Sequence, residues 1–516
     1  MNNKSRTIIN LICSMMVMIT NLLIGFVLSP YIVRNIGVEA NGFVTLASNF
    51  VTYASLIVTA LNSMAARYIT ISYVQKDFKR ANLYYNSVFW GNLLIVAVLV
   101  LPALFFIVKM ETIIDVPPDI AIDVKILFAF VFFNFFISTG LPNWDCGTYV
   151  TNRLDRSYIP NVFASVIRCA CIFLMMSLLT PKVWYVGFAA TILTVITLIV
   201  NCYNTHTLTP ELRIRLSGGK PIYSLKAIWE LVGSGIWNSI SSVGNMLLSG
   251  LDLIIANMAL GATAMGVLSL SKTLPHLMQQ LSSSICNAFA PELTINYAKG
   301  DMKAVLKDIN RAMKLTSVIM TVPFAGIVVL CDRFYQLWVP SQDAALLQAL
   351  TILSILGYMF TSGTQILYNV FSTVNKVKEN AIAMLLSGVV STALTLLLVH
   401  YTQLGIYAVA GVSVFVCLVR NMVFTVPMTA KYLGYHFFQF YPQVGRTILS
   451  SGLLIGAGFV VKPFLPQGSW GSFIISTVIV GILGLLINVC LLLNRSERAF
   501  LSKIVLRKLN IRKKTR

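Results

Sequence analysis

Apolar runs of about 20 residues, the length a helix needs to cross the hydrocarbon core of a bilayer, recur in this chain from residue 7 to residue 493. No other property leaves it so few ways to fold. In lipid every backbone N–H and C=O must be satisfied within a helix or a closed barrel, and runs of this length select helices. Composition agrees, because 57% of the residues are hydrophobic and 11% charged, against about 25% charged in soluble domains. Fourteen spans fit the pattern, with 43–66, 126–147, 159–179, 229–250 and 253–275 among them, and no sizeable soluble domain between them. The run after Lys4 and Arg6 is too long for a signal peptide and reads as the first retained helix.

A formal charge of +21 would point to nucleic acid in a soluble protein. Here position decides. With the N-terminus inside, 29 of the 39 Lys and Arg fall in cytoplasmic segments, six in outer loops (Arg34, Lys109, Lys125, Lys182, Arg333, Lys462) and four in spans. That is the positive-inside pattern, so both termini are expected in the cytoplasm. No nucleic-acid partner is expected, and the basic segments have anionic membrane lipids as partners. Enzymatic grammar is absent. SGGKP at 217–221 lacks the glycine and hydroxyl residue of a phosphate loop. The four histidines are unclustered and the nine cysteines lack metal-ligand spacing. A non-enzyme without cofactor or metal is expected.

The chain also repeats itself. Residues 37–79 align without a gap on residues 261–303, 224 positions on, with ten of 43 positions identical. Gly37/Gly261, Gly42/Gly266, Tyr73/Tyr297, Asp77/Asp301 and Lys79/Lys303 are among them. Hydrophobicity does not explain matches of glycine, charge and polarity. The correspondence continues with ISTG, Asn152 and Arg153 against FTSG, Asn375 and Lys376, so a six-helix unit is doubled. An even number of helices per copy gives two lobes of the same orientation, the parallel-repeat plan of some transporters. The bend at residues 30–42 is expected to return at residues 256–266.

Polar residues inside spans are costly and normally face a protein interior or water. Ser48, Thr52, Ser55, Thr59 and Asn62 form one helical stripe, and its repeat reads Lys272, His276, Gln279, Ser283 and Cys286. On the first helix of each lobe Asn10, Ser14, Asn21 and Leu28 correspond to Ser234, Asn238, Asn245 and Asp252. These faces are read as lining a shared hydrated cleft, the alternative being hydrogen bonding within a packed bundle. Four basic residues lie in or at the edges of spans: Arg67, Arg168, Lys272 and Arg420. If Asp252 pairs with Lys272 and Asp145 with Arg168, an arginine is left over, and the cleft suits an anion such as a pyrophosphate. Snorkelling is the other reading for Arg67. Asp145, Asp252 and His276 are candidates for ion coupling, with a structural ion pair as the alternative for Asp252. The outer-loop acids Glu111, Asp115, Asp119 and Asp123 recur every four residues and read as a solvated helical face.

Doubled six-helix lobes, two further C-terminal helices, and the pattern Arg34, Gly37, Gly42, Phe43, followed in the second lobe by Asp252, Ile255, Leu260, Gly261 and Gly266, resemble the bacterial polysaccharide-biosynthesis membrane proteins. These are the O-antigen and capsule type flippases of the multidrug/oligosaccharidyl-lipid/polysaccharide exporter superfamily. The resemblance implies a V-shaped, all-α transporter of the bacterial inner membrane with lobes at 1–203 and 229–429, a cytoplasmic linker at 204–228, extra helices at 430–493 and a basic tail at 494–516. It implies that an undecaprenyl-diphosphate-linked oligosaccharide is moved from inner to outer leaflet by alternating access. Proton or sodium coupling is implied, and the polysaccharide polymerase machinery is a candidate partner. The alternatives are an ion-coupled multidrug exporter and a lipid II flippase of the same superfamily.

Overall fold

The computed structural model describes residues 3–214, 216–217, 220–221 and 223–492. The basic tail lies outside the described residues. Apart from a two-residue pairing of Leu216–Ser217 with Lys220–Pro221, the regular structure described is helical, and thirteen of its helical segments are long and apolar enough to cross a membrane.

The doubling is visible element by element. In the first copy α1 (Asn3–Asn35) and α2 (Val38–Val74) meet at Gly37, and α3 (Phe78–Val108) follows. A short α4 (Met110–Ile113), α5 (Ala121–Gly140), α6 (Asp145–Val150), α7 (Asp155–Leu178) and α8 (Trp184–Leu208) complete it. In the second copy α9 (Leu225–Asn245) runs through a π turn at Met246–Gly250 into α10 (Asp252–Leu260), and Gly261 leads into α11 (Ala262–Ser271) and α12 (Thr273–Ala298). Then come α13 (Met302–Trp338), α14 (Ala344–Ile355), α15 (Tyr358–Thr361), α16 (Leu367–Thr373) and α17 (Val377–Tyr401). The copy ends with α18 (Ile406–Arg420), a π turn at Asn421–Thr425 and α19 (Val426–Tyr432), after which α20 (Tyr441–Val461) and α21 (Trp470–Leu491) stand outside the repeat.

What the duplication kept is the punctuation. Gly37 and Gly261 hold φ of +129° and +93°, a region glycine enters without steric cost. Asp77 and Asp301 cap the next helix, accepting from Arg80 N at 3.0 Å and Ala304 N at 2.9 Å, the usual work of an aspartate at an N-cap. Asn152 and Asn375 both sit left-handed, at φ +54° and +56°.

Two span expectations need correction. The windows 229–250 and 253–275 are not separate crossings, because Leu225–Leu260 runs as one span and the break falls at Gly261. The hydropathy dip near residue 250 marks the π turn. Its loosened carbonyls are satisfied by neighbours, since Ser391 donates to Leu248 O at 3.0 Å, Thr392 to Leu247 O at 2.6 Å, and Tyr53 Oη to Gly250 O. Likewise α5 ends at Gly140, so Asp145 lies beyond the span, on α6.

The chain forms two compact units: Met1–Leu270 with Met384–Val409, and Ser271–Ala383 with the described part of Ala410–Arg516. In the first unit α2 packs along α9, and α7 lies against α1 and α8. A Cβ on Gly235 would come within 2.2 Å of Ala60 O, so the α2 to α9 approach requires glycine there. In the second unit α13 is the central post for α12, α14, α20 and α21.

A buried polar network fastens the two extra helices to that post. Asn488 Nδ2 donates to Thr321 Oγ1 at 2.8 Å and Val318 O at 2.9 Å, and Ser450 Oγ donates to Asn488 Oδ1. Ser317 and Thr447 hydroxyls meet at 2.9 Å. Interhelical hydrogen bonds in membranes contribute about 0.6–2 kcal/mol each, so Asn488→Leu is expected to cost about 2–4 kcal/mol. Thermal unfolding in detergent measures it, with the exposed Asn245→Leu as control. Equal melting of both variants would refute the fastening role.

Candidate functional site

On α2 the polar stripe survives in three dimensions, but its chemistry differs from the sequence expectation. Ser48 and Thr52 are exposed, and each hydroxyl is satisfied by its own helix. Ser48 donates to Val44 O at 3.1 Å, Thr52 to Ser48 O at 3.3 Å, Ser55 to Thr52 O at 2.7 Å and Thr59 to Ser55 O at 2.8 Å. Back-bonding of this kind fills the donor and leaves oxygen lone pairs outward. The stripe therefore needs no facing helix to satisfy its donors. Asn62 drops out of the free set, because Asn92 Nδ2 donates to its Oδ1 at 3.1 Å. The exposed Arg67 lies further along α2, about a quarter turn off the stripe.

The first helices of the two copies are sorted in the same way. Asn10 is structural, donating to Asn152 Oδ1 at 2.9 Å and accepting from Asp155 N at 3.1 Å. Asn21 is exposed and accepts from Ser165 Oγ at 3.2 Å. Asn245, its repeat counterpart, is exposed and Asn238, the counterpart of Ser14, is half-buried, both on α9, and Ser234 meets Tyr68 Oη at 3.0 Å.

The structure treats the four cations differently. Arg67 is exposed and Lys272 is half-buried at the break between α11 and α12. Arg168 lies half-buried in the middle of α7, its buried Nε without an acceptor among the described residues. Arg420 is 7% exposed and held internally. Its Nη2 donates to Tyr368 Oη at 2.6 Å, its guanidinium lies 5.3 Å from that ring's centroid, and Tyr368 in turn donates to Asn421 Oδ1 at 2.5 Å.

Among the acids, Asp145 accepts from Asn201 Nδ2 at 2.5 Å. It does not meet Arg168, which stands thirteen residues beyond Asp155 on α7, about 20 Å up the helix at 1.5 Å per residue. The suggested pairing of the two fails on depth. Asp252 is 5% exposed and opens α10 in the first unit. His276 and Gln279 are exposed on α12 in the second.

Sequence reasoning missed a close contact between the N-terminal parts of α2 and α11, although its signal was the repeat itself. Gly42 and Gly266, duplicate positions, touch: a Cβ on Gly42 would lie 2.9 Å from Gly266 Cα, and one on Gly266 would lie 2.4 Å from Val38 O. Glu39 and Thr263, again duplicates, bond at 2.8 Å through Thr263 Oγ1 and Glu39 Oε1. Asn41 Nδ2 donates to Ser269 Oγ at 2.9 Å. The loop before α5 adds a clasp, with Asp115 N on Asn257 Oδ1 at 2.8 Å, Asn257 Nδ2 on Asp115 O at 2.9 Å, and Ala262 N on Asp115 Oδ2 at 2.9 Å. The four loop acids are thus not one solvated face. Asp115 caps α11, while Glu111 pairs with Lys125 at 2.6 Å and Asp123 with Lys182 at 3.9 Å.

A helical bundle with thirteen segments long and apolar enough to cross a membrane is the frame of a multi-pass membrane protein. The structure resembles a lipid II flippase, MurJ, in an inward closed conformation, with a TM-score of 0.65 and 14% identity over 97% of this chain and 99% of that one. It also resembles an inward-facing multidrug resistance MATE family transporter, with a TM-score of 0.59 and 15% identity over 87% and 98%. The chain belongs to the polysaccharide biosynthesis protein family, whose model matches residues 8–296. A curated relative is 26% identical over 481 residues, 92% of this chain and 93% of its own length: the uncharacterized membrane protein EpsK of Bacillus subtilis (strain 168).

Proposed function

We propose that this multi-pass transporter moves an undecaprenyl-diphosphate-linked oligosaccharide from the inner to the outer leaflet of the bacterial cytoplasmic membrane, for O-antigen or capsule assembly, with both termini cytoplasmic. The observation that carries it is the sign and chemistry of the polar interior. Arg168 at mid-span finds no acid, and the α2 stripe offers back-bonded hydroxyls with free acceptor lone pairs. Cations suit a diphosphate, and rows of acceptors suit sugar hydroxyls. An exporter of cationic drugs would call for an acidic, aromatic lining.

In this reading Arg67, Arg168 and Lys272 meet the headgroup, and Asn21, Ser48, Thr52, Asn238, Asn245 and Gln279 line its path. Arg420 acts through Tyr368, as a structural residue. The coupling proton or sodium ion is assigned to Asp252 and His276 rather than to Asp145, which lies outside the spans. The glycine contact of α2 with α11 is the outer closure that alternating access must open. In this reading the duplicated lobes are 1–203 and 229–429.

Deletion of the gene, in a strain with no second flippase of this type, is expected to abolish surface polysaccharide while peptidoglycan synthesis continues. Normal surface polysaccharide would refute the proposal. Arrest of peptidoglycan synthesis would favour the lipid II reading.

A further inference from the structure

Helices α3 and α13 begin 224 positions apart and are the same element in the two copies, yet chain covers one of them and leaves the other bare. On α3 the segment that follows α8 lies across Asn82, Asn86 and Ser87. Asn82 Nδ2 donates to Glu211 O at 2.6 Å and its Oδ1 accepts from Arg213 N at 2.9 Å. Asn86 Nδ2 donates to Arg213 O at 2.9 Å, and Ser87 Oγ accepts from Ser224 N at 3.0 Å. All four bonds go to backbone, so this face holds a polypeptide through its main chain. Asn86 and Ser87 are buried as a result, 1% and 0% exposed.

Their counterparts on α13 are Asn310 and Arg311. In the second copy the chain after α19 takes another course: Leu433 and Phe440 pack with Val305, Ile309 and Met313, and Tyr435 Oη donates to Met302 O at 2.8 Å. Asn310 and Arg311 are left exposed, as are Lys303 and Lys307. At 100° per residue these four lie within about 100° of one another, opposite the buried Val305, Ile309 and Ala312. The copies also differ in charge here, with Lys307 in place of Leu83 and Arg311 in place of Ser87. Among the described residues Asn310 makes no side-chain hydrogen bond and Lys303, Lys307 and Arg311 no ion pair. The nearby acids are engaged: Asp301 caps Ala304 N at 2.9 Å, and Asp308 accepts from Asn296 Nδ2 at 2.6 Å.

Depth in the membrane selects the occupant. Residues 315–331 carry no charge and span about 26 Å, close to the hydrocarbon core of about 30 Å. Residues 302–314 therefore stand clear of it, at the end that the proposed function places in the cytoplasm. Lys303 lies about 16 Å beyond Lys314, past a headgroup layer of about 5–8 Å by about one Debye length. A lipid surface reaches Arg311 but not Lys303. The tail at 494–516, with nine bases and one acid, has the wrong sign to fill the face, and a second copy of a chain with 39 bases and 18 acids fits it no better.

We propose that Lys303, Lys307, Asn310 and Arg311 form a docking face for an acidic polypeptide segment of a partner protein. Asn310 donates to its backbone as Asn86 does to Arg213, and the three cations pair with its carboxylates. The face stands on the contrast between the two copies. Its cytoplasmic placement rests on the topology of the proposed function.

The full-length protein in neutral-lipid nanodiscs is titrated at physiological salt with a fluorescent peptide of alternating Glu and Ala, with the Lys and Ala peptide as control, and anisotropy reads binding. Saturable binding of the acidic peptide alone is expected. Lys303→Gln, Lys307→Gln and Arg311→Gln together are expected to weaken it about tenfold, the scale of three exposed ion pairs. Asn310→Ala alone is expected to weaken it about threefold, the scale of one hydrogen bond, with unchanged melting. Removing three tail charges instead, by Arg512→Gln, Lys513→Gln and Lys514→Gln, is expected to leave binding as it is. No saturable binding, or an equal loss from the tail variant, overturns the face. So does a triple variant that binds the peptide as before and loses only the stabilisation that phosphatidylglycerol in the bilayer provides, because the face is then a lipid contact. Labelling of Lys303→Cys by an impermeant maleimide in intact cells, in a background without the native cysteines, overturns the cytoplasmic placement. Transport is read separately by the deletion test, so either conclusion can fail without the other.

Discussion

Gly266→Leu is expected to abolish surface polysaccharide while the protein reaches the membrane in normal amount. A Cβ at Gly266 falls 2.4 Å from Val38 O and 2.7 Å from Val38 C, and backbone atoms in a helix do not swing aside as a side chain would. The two helices must separate, so the glycine contact, the Glu39 to Thr263 bond and the Asn41 to Ser269 bond are lost together. A cysteine pair at positions 39 and 263, in a background without the native cysteines, reports this directly. It is expected to cross-link in the parent and to fail with leucine at 266. Gly233→Leu is the control, because nothing from a neighbouring element lies within 4 Å of its Cβ and leucine is a better helix former by about 1 kcal/mol or less. Full polysaccharide with Gly266→Leu at normal abundance would remove the closure from the mechanism.

That closure shows what the sequence makes legible and what it hides. Gly42 and Gly266 stand out as a pair in the alignment of the chain with itself, and so do the bends at Gly37 and Gly261. Glycine, aspartate caps and left-handed asparagines have few alternative uses, so local chemistry fixes their roles. Nothing in a one-dimensional alignment says that duplicate positions touch. That follows from two helices of equal shape approaching closely where neither carries a side chain. The polar stripe was legible as a period on α2, yet its satisfaction was not. Hydroxyls that bond back to their own helix look identical in sequence to hydroxyls seeking a partner. The merged span Leu225–Leu260 was misjudged for a similar reason: a π turn with a run of small and polar residues lowers hydropathy as a loop does, while Ser391, Thr392 and Tyr53 keep its carbonyls bonded.

Arg168 and Arg420 carry the same sequence signal, an arginine deep in an apolar run, and are expected to fail in opposite ways when mutated. Arg420 is built into the second unit. Removing its bond to Tyr368 Oη strips a buried hydroxyl of a charged partner, a loss of about 1.5–3 kcal/mol, and unsettles the Asn421 contact at the start of the π turn. Arg420→Ala is therefore expected to lower melting temperature and membrane abundance, with transport falling in proportion to the protein present. Arg168 has no such bond to lose. An unpaired cation at mid-span costs about 2.5–3.5 kcal/mol on insertion scales, so Arg168→Ala is expected to hold or raise abundance and to lose most surface polysaccharide. The measurement is polysaccharide per molecule of membrane protein, read alongside thermal unfolding for both variants. If Arg168→Ala melts early, or restores polysaccharide fully in the deletion strain, the cation is structural and the headgroup must be held elsewhere. If the split appears as expected, the absence of an internal partner, rather than depth in the membrane, is what separates a binding arginine from a packing one in this fold.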